Sequence, residues 1–393
     1  MKKKENVFGL FNDSFPPILD GVTLTVQNYA GWLSRNGFNT CVVTPWNPVK
    51  PEDGDYDIFR YFSLPIASRY PYRYGYPKAD PFIWQKMRST PFSLVHAHCP
   101  FSSGRLALYA ARQHNVPLVA TFHSKYKIDL EHSLPEWMVK RIMKRVMEFF
   151  DAADEVWIPQ ARVEETVREY GYKGKLTVVE NGTDMAGADF DRILAMKLEA
   201  RKKLGVSSHE MMLLFVGQHI IEKGVDKIID MMACLRDLPV KMSFIGTGYA
   251  VDDMHRHISR LNLEDRITLH GVISNREELR TYYAAADLFL FPSLYDNAPL
   301  VVREAAIMGT PSVIVACSTT SEVITDGVNG FIAANSPESY AAKVRTLYDN
   351  RRLILKVASN ASHSLARSWD DVMDEVAQRY KDIIAHYGRK QHR

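Results

Sequence analysis

Short apolar, β-branched runs alternate with longer stretches of helical spacing from the first ten residues onward, and that alternation restricts the chain to very few folds. Residues 7–11, 40–44, 93–97, 118–121, 155–158 and 176–179 read as buried strands, with helical stretches at 23–36 (closed by Gly37), 104–114 and 135–150 between them. Strands joined by helices of this length imply right-handed crossovers and a parallel sheet.

The pattern then starts again. Strand runs at 211–216, 241–245, 266–269, 288–291 and 312–315 are separated by helical stretches at 225–235, 251–261, 276–285 and 299–308. The stretch 181–189, with Asn181-Gly182-Thr183 and the Gly187-Ala188 pair, reads as a linker. The expected organisation is an N-terminal domain over 1–184, a C-terminal domain over 185–368, and a last helix over 369–393 that packs back on the first domain. A chain of 393 residues is long for one core and comfortable for two. Doubly wound sheets bind ligands outside the carboxyl ends of their strands, so two in tandem are expected to share a cleft.

The bulk chemistry excludes several classes. An apolar fraction of 46% with 24% charged residues describes a globular protein rather than a disordered or membrane-spanning one. A formal charge of +3 makes no case for nucleic acid as a partner. Cys41, Cys99, Cys234 and Cys317 have no paired spacing, so neither a zinc motif nor a disulfide ladder is expected, and a reducing compartment follows. Lys2, Lys3 and Lys4 imitate the start of a signal peptide, but the apolar run after them is short and is cut by Asn12 and Asp13. No apolar run approaches the ~20 residues needed to span a bilayer. A cytoplasmic location is expected.

The second half carries the chemistry. Phe215-Val216-Gly217-Gln218-His219 leads through Glu222 to Lys223-Gly224. A strand ends in glycine, a loop follows, and a lysine precedes the next helix. Such a lysine can place a point charge on a diphosphate while the helix N-terminus supplies amide donors; alone, the same residues also read as a surface loop ending in a solvated lysine. Further on, Phe291-Pro292-Ser293-Leu294-Tyr295-Asp296 runs through Asn297, Ala298, Pro299 and Leu300 to Glu304, placing seven residues between two acids. The amides of 297–300 open a helix, where phosphate oxygens are favoured. Ile245-Gly246-Thr247-Gly248 follows a strand but lacks the full dinucleotide fingerprint, which argues against a dehydrogenase.

Together these motifs resemble glycosyltransferase family 4, whose members have the GT-B architecture, and the resemblance spans most of the chain. It implies an α/β fold of two doubly wound Rossmann-like domains facing across a cleft, and a hexosyltransferase that uses a nucleotide-sugar donor. The family's Gly-Arg-Leu-x-x-x-Lys-Gly appears with Gln218 where the arginine belongs, so one charge on the diphosphate is missing. A protonated His219 would compensate. Asp296 replaces the customary first glutamate. On this resemblance Lys223, Gln218 and the amides of Asn297, Ala298, Pro299 and Leu300 stabilise the leaving diphosphate. Asp296 lies beside the donor sugar. Glu304, about two turns into its helix, accepts two ribose hydroxyls, and Gly217, Gly246 and Val272 line the nucleotide.

In the first half, Asp20-Gly21-Val22-Thr23 precedes the first helix, and a glycine there lets backbone approach a ligand closely. The resemblance puts Gly21 and Val22 near the donor phosphates and the acceptor; by themselves the residues also make a plain turn capped by Thr23. His123, in Thr121-Phe122-His123-Ser124, matches a family histidine that contacts the transferred sugar, and His98 ends the neighbouring strand. A lone histidine at a strand end is more often structural. The expected catalytic residues are thus His123, Lys223 and Asp296. Asp55-Tyr56-Asp57 has the metal-binding spacing of the other main glycosyltransferase fold but follows Asp53-Gly54 in a polar loop, and Asp252-Asp253 serves a helix dipole. No metal and no cofactor are expected, with Lys223 and backbone amides taking the metal's electrostatic role.

The acceptor is hinted at by a basic amphipathic pattern. In 135–150, Lys140 and Lys144 share one helix face, as do Arg141 and Arg145, with Trp137, Met138, Ile142, Met143, Val146 and Phe149 on the rest. Such a helix can lie on anionic lipid, and it also reads as an ordinary domain helix with a solvated basic face. The stretch 60–76 mixes arginines with Tyr61, Phe62, Tyr70, Tyr72, Tyr74 and Tyr76. Family 4 includes enzymes that glycosylate diacylglycerol and phosphatidylinositol, so the resemblance implies a lipid acceptor and a peripheral place on the inner face of a membrane. The reading is transfer of glucose from UDP-glucose. Retention of configuration is implied by the resemblance alone, and the leaving diphosphate would help to deprotonate the acceptor. The alternatives are a sugar-nucleotide epimerase or hydrolase, and a binding protein weakened by the loss of arginine at Gln218.

Overall fold

The computed structural model describes residues 6–18, 20–49, 55–66, 72–131, 134–185, 189–294 and 296–391. Lys2 to Lys4, Asp53, Gly54, Tyr70, the Gly187-Ala188 pair and Tyr295 lie outside the described residues. The chain divides into two units, Met1–Gly182 with Trp369–Arg393, and Thr183–Ser368.

Unit 1 begins with β1 (Val7–Phe11), α1 (Gly21–Arg35), β2 (Thr40–Pro45), β3 (Asp57–Tyr61) and the pair β4 (Ser63–Pro65) and β5 (Arg73–Gly75). It continues with α2 (Pro81–Ser89), β6 (Phe92–Ala97), α3 (Ser102–His114), β7 (Leu118–Thr121), α4 (Tyr126–Glu131), α5 (Glu136–Asp151), β8 (Glu155–Ile158), α6 (Val163–Glu169) and β9 (Leu176–Val178). Seven of these strands form a sheet in the order β3-β2-β1-β6-β7-β8-β9, and every pairing in it is parallel. β1 and β2 are buried along their whole length, as strands covered on both faces by helices must be.

The sequence reading anticipated the buried strands and did not name β3, β4, β5, α2, α4 or α6. β3 is half-exposed over most of its length, so it lacks the continuous apolar run that betrays a central strand. Asp57, expected in a polar loop, instead opens this edge strand.

Unit 2 contains α7 (Phe190–Lys203), β10 (Met211–Val216), α8 (Val225–Ala233), β11 (Val240–Ile245), α9 (Val251–Arg260), β12 (Ile267–Leu269) and α10 (Arg276–Ala285). β13 (Leu288–Phe291), α11 (Leu300–Ile307), β14 (Ser312–Val315), β15 (Phe331–Ala333), α12 (Pro337–Asp349) and α13 (Arg351–Ser364) complete it. Its six strands run β12-β11-β10-β13-β14-β15, again all parallel. The order reverses between β10 and β13, and at such a switch point the two outgoing loops diverge and leave a crevice. A buried ion network ties the unit together: Asp287 accepts from Arg201 at 2.9 Å, Lys197 at 3.2 Å and Arg351 at 3.4 Å, and from the Met212 N–H at 2.9 Å.

The last helix, α14 (Trp369–Gln391), returns to unit 1. It buries Trp369, Val372, Met373, Val376, Ala377, Tyr380 and Ile383, a stripe at three- and four-residue spacing. Tyr380 stacks on Trp157 with ring centroids 5.7 Å apart.

Candidate functional site

The loops at the unit 2 switch point are shaped by glycines. Gly217 follows β10 directly, and its N–H donates to the Ile245 carbonyl at 3.0 Å. Gly246, with φ of 135°, lies so close that a Cβ on it would stand 1.9 Å from the Gly217 carbonyl oxygen, and only glycine permits that packing. The N–H of Gly246 reaches the Gly271 carbonyl at 2.8 Å, which anchors the segment of Val272, itself 57% exposed. Three successive loops are thereby stitched backbone to backbone.

Within this frame a short turn, Ile221–Lys223, presents Lys223. Its ammonium pairs with the Asp296 carboxylate at 3.0 Å and lies 5.8 Å over the Phe291 ring. Ser293 donates to the other Asp296 oxygen at 2.7 Å. Residues far apart in sequence, one leaving β10 and the other leaving β13, thus meet where the strand order reverses. Gln218 is half-buried in the same loop.

His219 does not supply the missing charge. It is buried against Phe215 and Phe244, with centroids 6.1 and 5.9 Å away, and burial lowers its pKa to about 4. It is neutral near pH 7.

α11 starts at Leu300 with Pro299 at its N-cap, whose side chain has no acceptor to offer. The first N–H groups of a helix have no intrahelical carbonyl to bond and can serve an anion. Proline has no N–H, so within 297–300 the donors are Asn297, Ala298 and Leu300. Asn297 is buried, Ala298 is half-buried.

Glu304 sits little more than one turn into α11 rather than two, and is 4% exposed. Arg276 donates to its Oε1 at 2.8 Å and Tyr283 to its Oε2 at 2.8 Å. Arg276 also pairs with Asp184. Burial works against the Arg276 charge, but Glu304 and Asp184 outweigh it and raise its pKa. A carboxylate has about four lone-pair positions, so one on each oxygen of Glu304 remains for a ligand. Sequence reasoning missed Arg276 and Tyr283, because no spacing rule connects Arg276 to an acid 28 residues away.

In unit 1 the comparable point lies after β1. Asp20, not Thr23, caps α1, accepting the Thr23 N–H at 2.7 Å, and Tyr72 and Ser14 donate to its other oxygen at 3.0 and 3.1 Å. Gly21 is the first residue of α1, and among the described residues no atom beyond its chain neighbours and its own helix backbone lies within 4 Å of where its Cβ would be. Crowding by the protein does not account for that glycine. Val22 follows it, half-buried.

His123 and His98, following adjacent strands, meet ring to ring with 3.0 Å between His123 Nε2 and His98 Nδ1. His96 lies beneath, bonded to Thr121 at 2.7 Å and to Tyr380 of α14. Burial lowers the His123 pKa to about 3, and burial followed by its histidine neighbours lowers that of His98. His123 is thus a neutral hydrogen-bonding group and no acid near pH 7. Among the described residues, no three His, Cys, Asp or Glu side chains gather as metal ligands, and no helix is long and apolar enough to cross a membrane.

The geometry has counterparts among known proteins. The chain is 26% identical over 313 residues to an alpha-monoglucosyldiacylglycerol synthase of Streptococcus pneumoniae, covering 77% of this chain and 69% of that one. It is 24% identical to a GDP-mannose-dependent alpha-mannosyltransferase of Corynebacterium glutamicum, covering 95% and 88%. The structure of Anabaena HepE in complex with UDP and glucose superposes with a TM-score of 0.76 at 18% identity, over 96% of this chain and 99% of that one. That likeness extends to the whole two-domain fold, GT-B. The model described as Glycosyltransferase Family 4 matches residues 19–186, and that described as Glycosyl transferases group 1 matches 196–364. The chain belongs to the family 4 glycosyltransferases and is a hexosyltransferase of the GT-B fold.

Proposed function

We propose that the enzyme transfers glucose from UDP-glucose, with retention of configuration, to a membrane lipid of the diacylglycerol type. The observation that carries the donor half is the convergence of Lys223 and Asp296 at the switch point, followed along the same segment by the start of α11 and by Glu304, oriented by Arg276 and Tyr283. A nucleotide-sugar offers matching chemistry: ribose hydroxyls for Glu304, diphosphate oxygens for Lys223 and the amides, sugar hydroxyls for Asp296. Lys223 and the α11 amides would stabilise the leaving diphosphate without a metal, and a diphosphate oxygen would take the acceptor's proton on the same face. His123, neutral, would contact the sugar, and Gly21 with Val22 the phosphates and the acceptor.

The lipid acceptor is supported by the diacylglycerol-glucosylating relative and by the face of α5. Trp137, Lys140, Arg141, Lys144 and Arg145 are exposed, with Trp137 at 65%. Val139, Met143 and Val146 are buried on the opposite side. Glu136 and Glu148 pair with Lys140 and Lys144 on this face, which still carries more cations than acids, and a net basic face with an aromatic at its edge suits attachment to the inner, anionic leaflet.

The donor is tested by thermal shift with UDP-, GDP- and ADP-sugars. Transfer of labelled glucose into diacylglycerol in anionic vesicles, with and without a chelator, tests the acceptor and the metal-free chemistry, and NMR of the product's anomeric centre tests retention. A preference for GDP-mannose, as in the name of the mannosyltransferase relative, would overturn the donor. Absence of lipid product with rapid turnover on another acceptor would overturn the acceptor. One further reading has its own observation: with Gln218 uncharged, His219 neutral and Lys223 paired to Asp296, the diphosphate loop carries little net positive charge. Tight nucleotide-sugar binding without turnover on any acceptor would make the protein a binding module.

A further inference from the structure

The turn carrying Lys223 is gripped from its outer side by a residue the donor site does not otherwise use. We infer that Tyr249 is a positioning residue for the diphosphate turn: its hydroxyl, reaching over from the loop after β11, sets Ile221 and Glu222 and thereby the placement of Lys223. This rests on reading 217–224 as the diphosphate loop.

The contacts are direct. Tyr249 donates its hydroxyl hydrogen to Glu222 Oε2 at 2.5 Å and accepts the Ile221 N–H at 3.2 Å. These are the two residues immediately before Lys223 in a three-residue turn. The Tyr249 side chain is 63% exposed, so burial of its ring explains little of its presence, and the hydroxyl is what it offers.

The arm is rigid at its base. A Cβ on Gly248 would stand 2.3 Å from the His219 carbonyl oxygen, so the two loops touch backbone to backbone. The His219 N–H donates to Thr247 at 2.9 Å and the Ala250 N–H to His219 at 3.0 Å. The Tyr249 backbone is therefore tied to the loop it grips, leaving only two side-chain torsions to set the hydroxyl. From the other side Gly224, with φ of 72°, lets the turn press on Pro292, whose Cγ would lie 2.9 Å from an added Cβ. Asp296 then receives the ammonium. The turn is thus clamped between two loops, one acting on its backbone and one on its lysine.

The contact also orients a charge. Glu222 precedes Lys223, and a free carboxylate there would repel a diphosphate or compete for the lysine. Held on Tyr249, it is turned to a neutral donor. Burial first, then the hydrogen bond to Glu222, raises the Tyr249 pKa to about 12, so that donor persists over any practical assay pH.

Tyr249→Phe keeps the ring and removes both bonds. Losing two hydrogen bonds, one of them charge-assisted, predicts roughly a 5- to 30-fold rise in the UDP Kd and the donor KM. The turnover number should change less than about threefold and the melting temperature by less than about 2 °C, because the group is at the surface. Glu222→Gln, which keeps an acceptor for Tyr249, should stay near wild type, whereas Glu222→Ala, which removes one of the two bonds and the carboxylate with it, should cost less than Tyr249→Phe, and the double variant should be no worse than Tyr249→Phe alone. Wild-type binding of UDP with equal binding by Tyr249→Phe would overturn this inference alone. Failure of the wild type to bind any nucleotide would overturn the donor-site reading and this inference with it.

Discussion

Substituting Glu304 by glutamine separates the ligand role of this carboxylate from its structural one. In the folded protein its two oxygens accept from Arg276 and Tyr283, each at 2.8 Å. A glutamine can keep its carbonyl toward Arg276 and turn its NH2 toward Tyr283, whose hydroxyl accepts as well as donates. Arg276 retains its second acid, Asp184. The expected stability loss is therefore about 1 kcal/mol, close to that of an ordinary hydrogen-bond change. A ribose fares worse. One of its hydroxyls loses its acceptor and the other exchanges a charged acceptor for a neutral one, a combined loss of about 2–3 kcal/mol, or roughly 30- to 150-fold in the UDP Kd. Calorimetry reads this directly. Thermal shift does so too: UDP at about 100 times the wild-type Kd stabilises by about 2.7 kcal/mol, and a 100-fold weaker site at the same concentration gives only about 0.4 kcal/mol. A Glu304→Gln variant that binds UDP within about twofold of wild type would refute the ribose assignment. One that unfolds near room temperature would refute the argument that the amide satisfies Arg276 and Tyr283.

Three other outcomes follow from the structure. Lys223→Ala should lower kcat/KM for the nucleotide-sugar by roughly 10²- to 10³-fold in steady-state kinetics, since it removes a charge aimed at the leaving group, with Lys223→Arg partly active. Asp287→Ala strands Lys197, Arg201 and Arg351 around a 7% exposed site, and should cost about 3–5 kcal/mol in chemical denaturation. His219 is neutral in the fold down to about pH 4 against an ordinary 6.5. Above 6.5 both states are neutral and it contributes nothing, whereas between 6.5 and 4 the unfolded chain takes a proton that the folded one refuses. Stability should therefore fall with pH across that window by roughly 3 kcal/mol from this group, and the fall should be shallower in His219→Leu when melting is followed from pH 7 to pH 4.

Much of this protein could be read along the chain because its central strands are covered on both sides. β10 is buried at every position, so its apolar run marks it whatever its neighbours are. The glycines at 217, 224 and 246 were equally visible, and the structure shows the cause: each has φ in the left-handed region, and at 224 and 246 another loop leaves no room for a Cβ. The edge of unit 1 was less legible. Phe62, Leu64, Tyr74 and Tyr76 are exposed on β4, β5 and their flanks, and apolar residues facing water do not announce a strand.

What the sequence determined by itself was local: which runs are strands, where a loop must bend, and which motif residues carry charge. Which of those residues meet was decided by the tertiary structure. Lys223 finds Asp296 across 73 positions and Arg276 finds Glu304 across 28, because strand order, rather than chain order, sets which loops are neighbours. The ionisation of the histidines was decided there too. Their spacing identified them, but burial among aromatic rings and one another leaves His98, His123 and His219 uncharged, since a low-dielectric surround disfavours the charged form whatever the sequence distance.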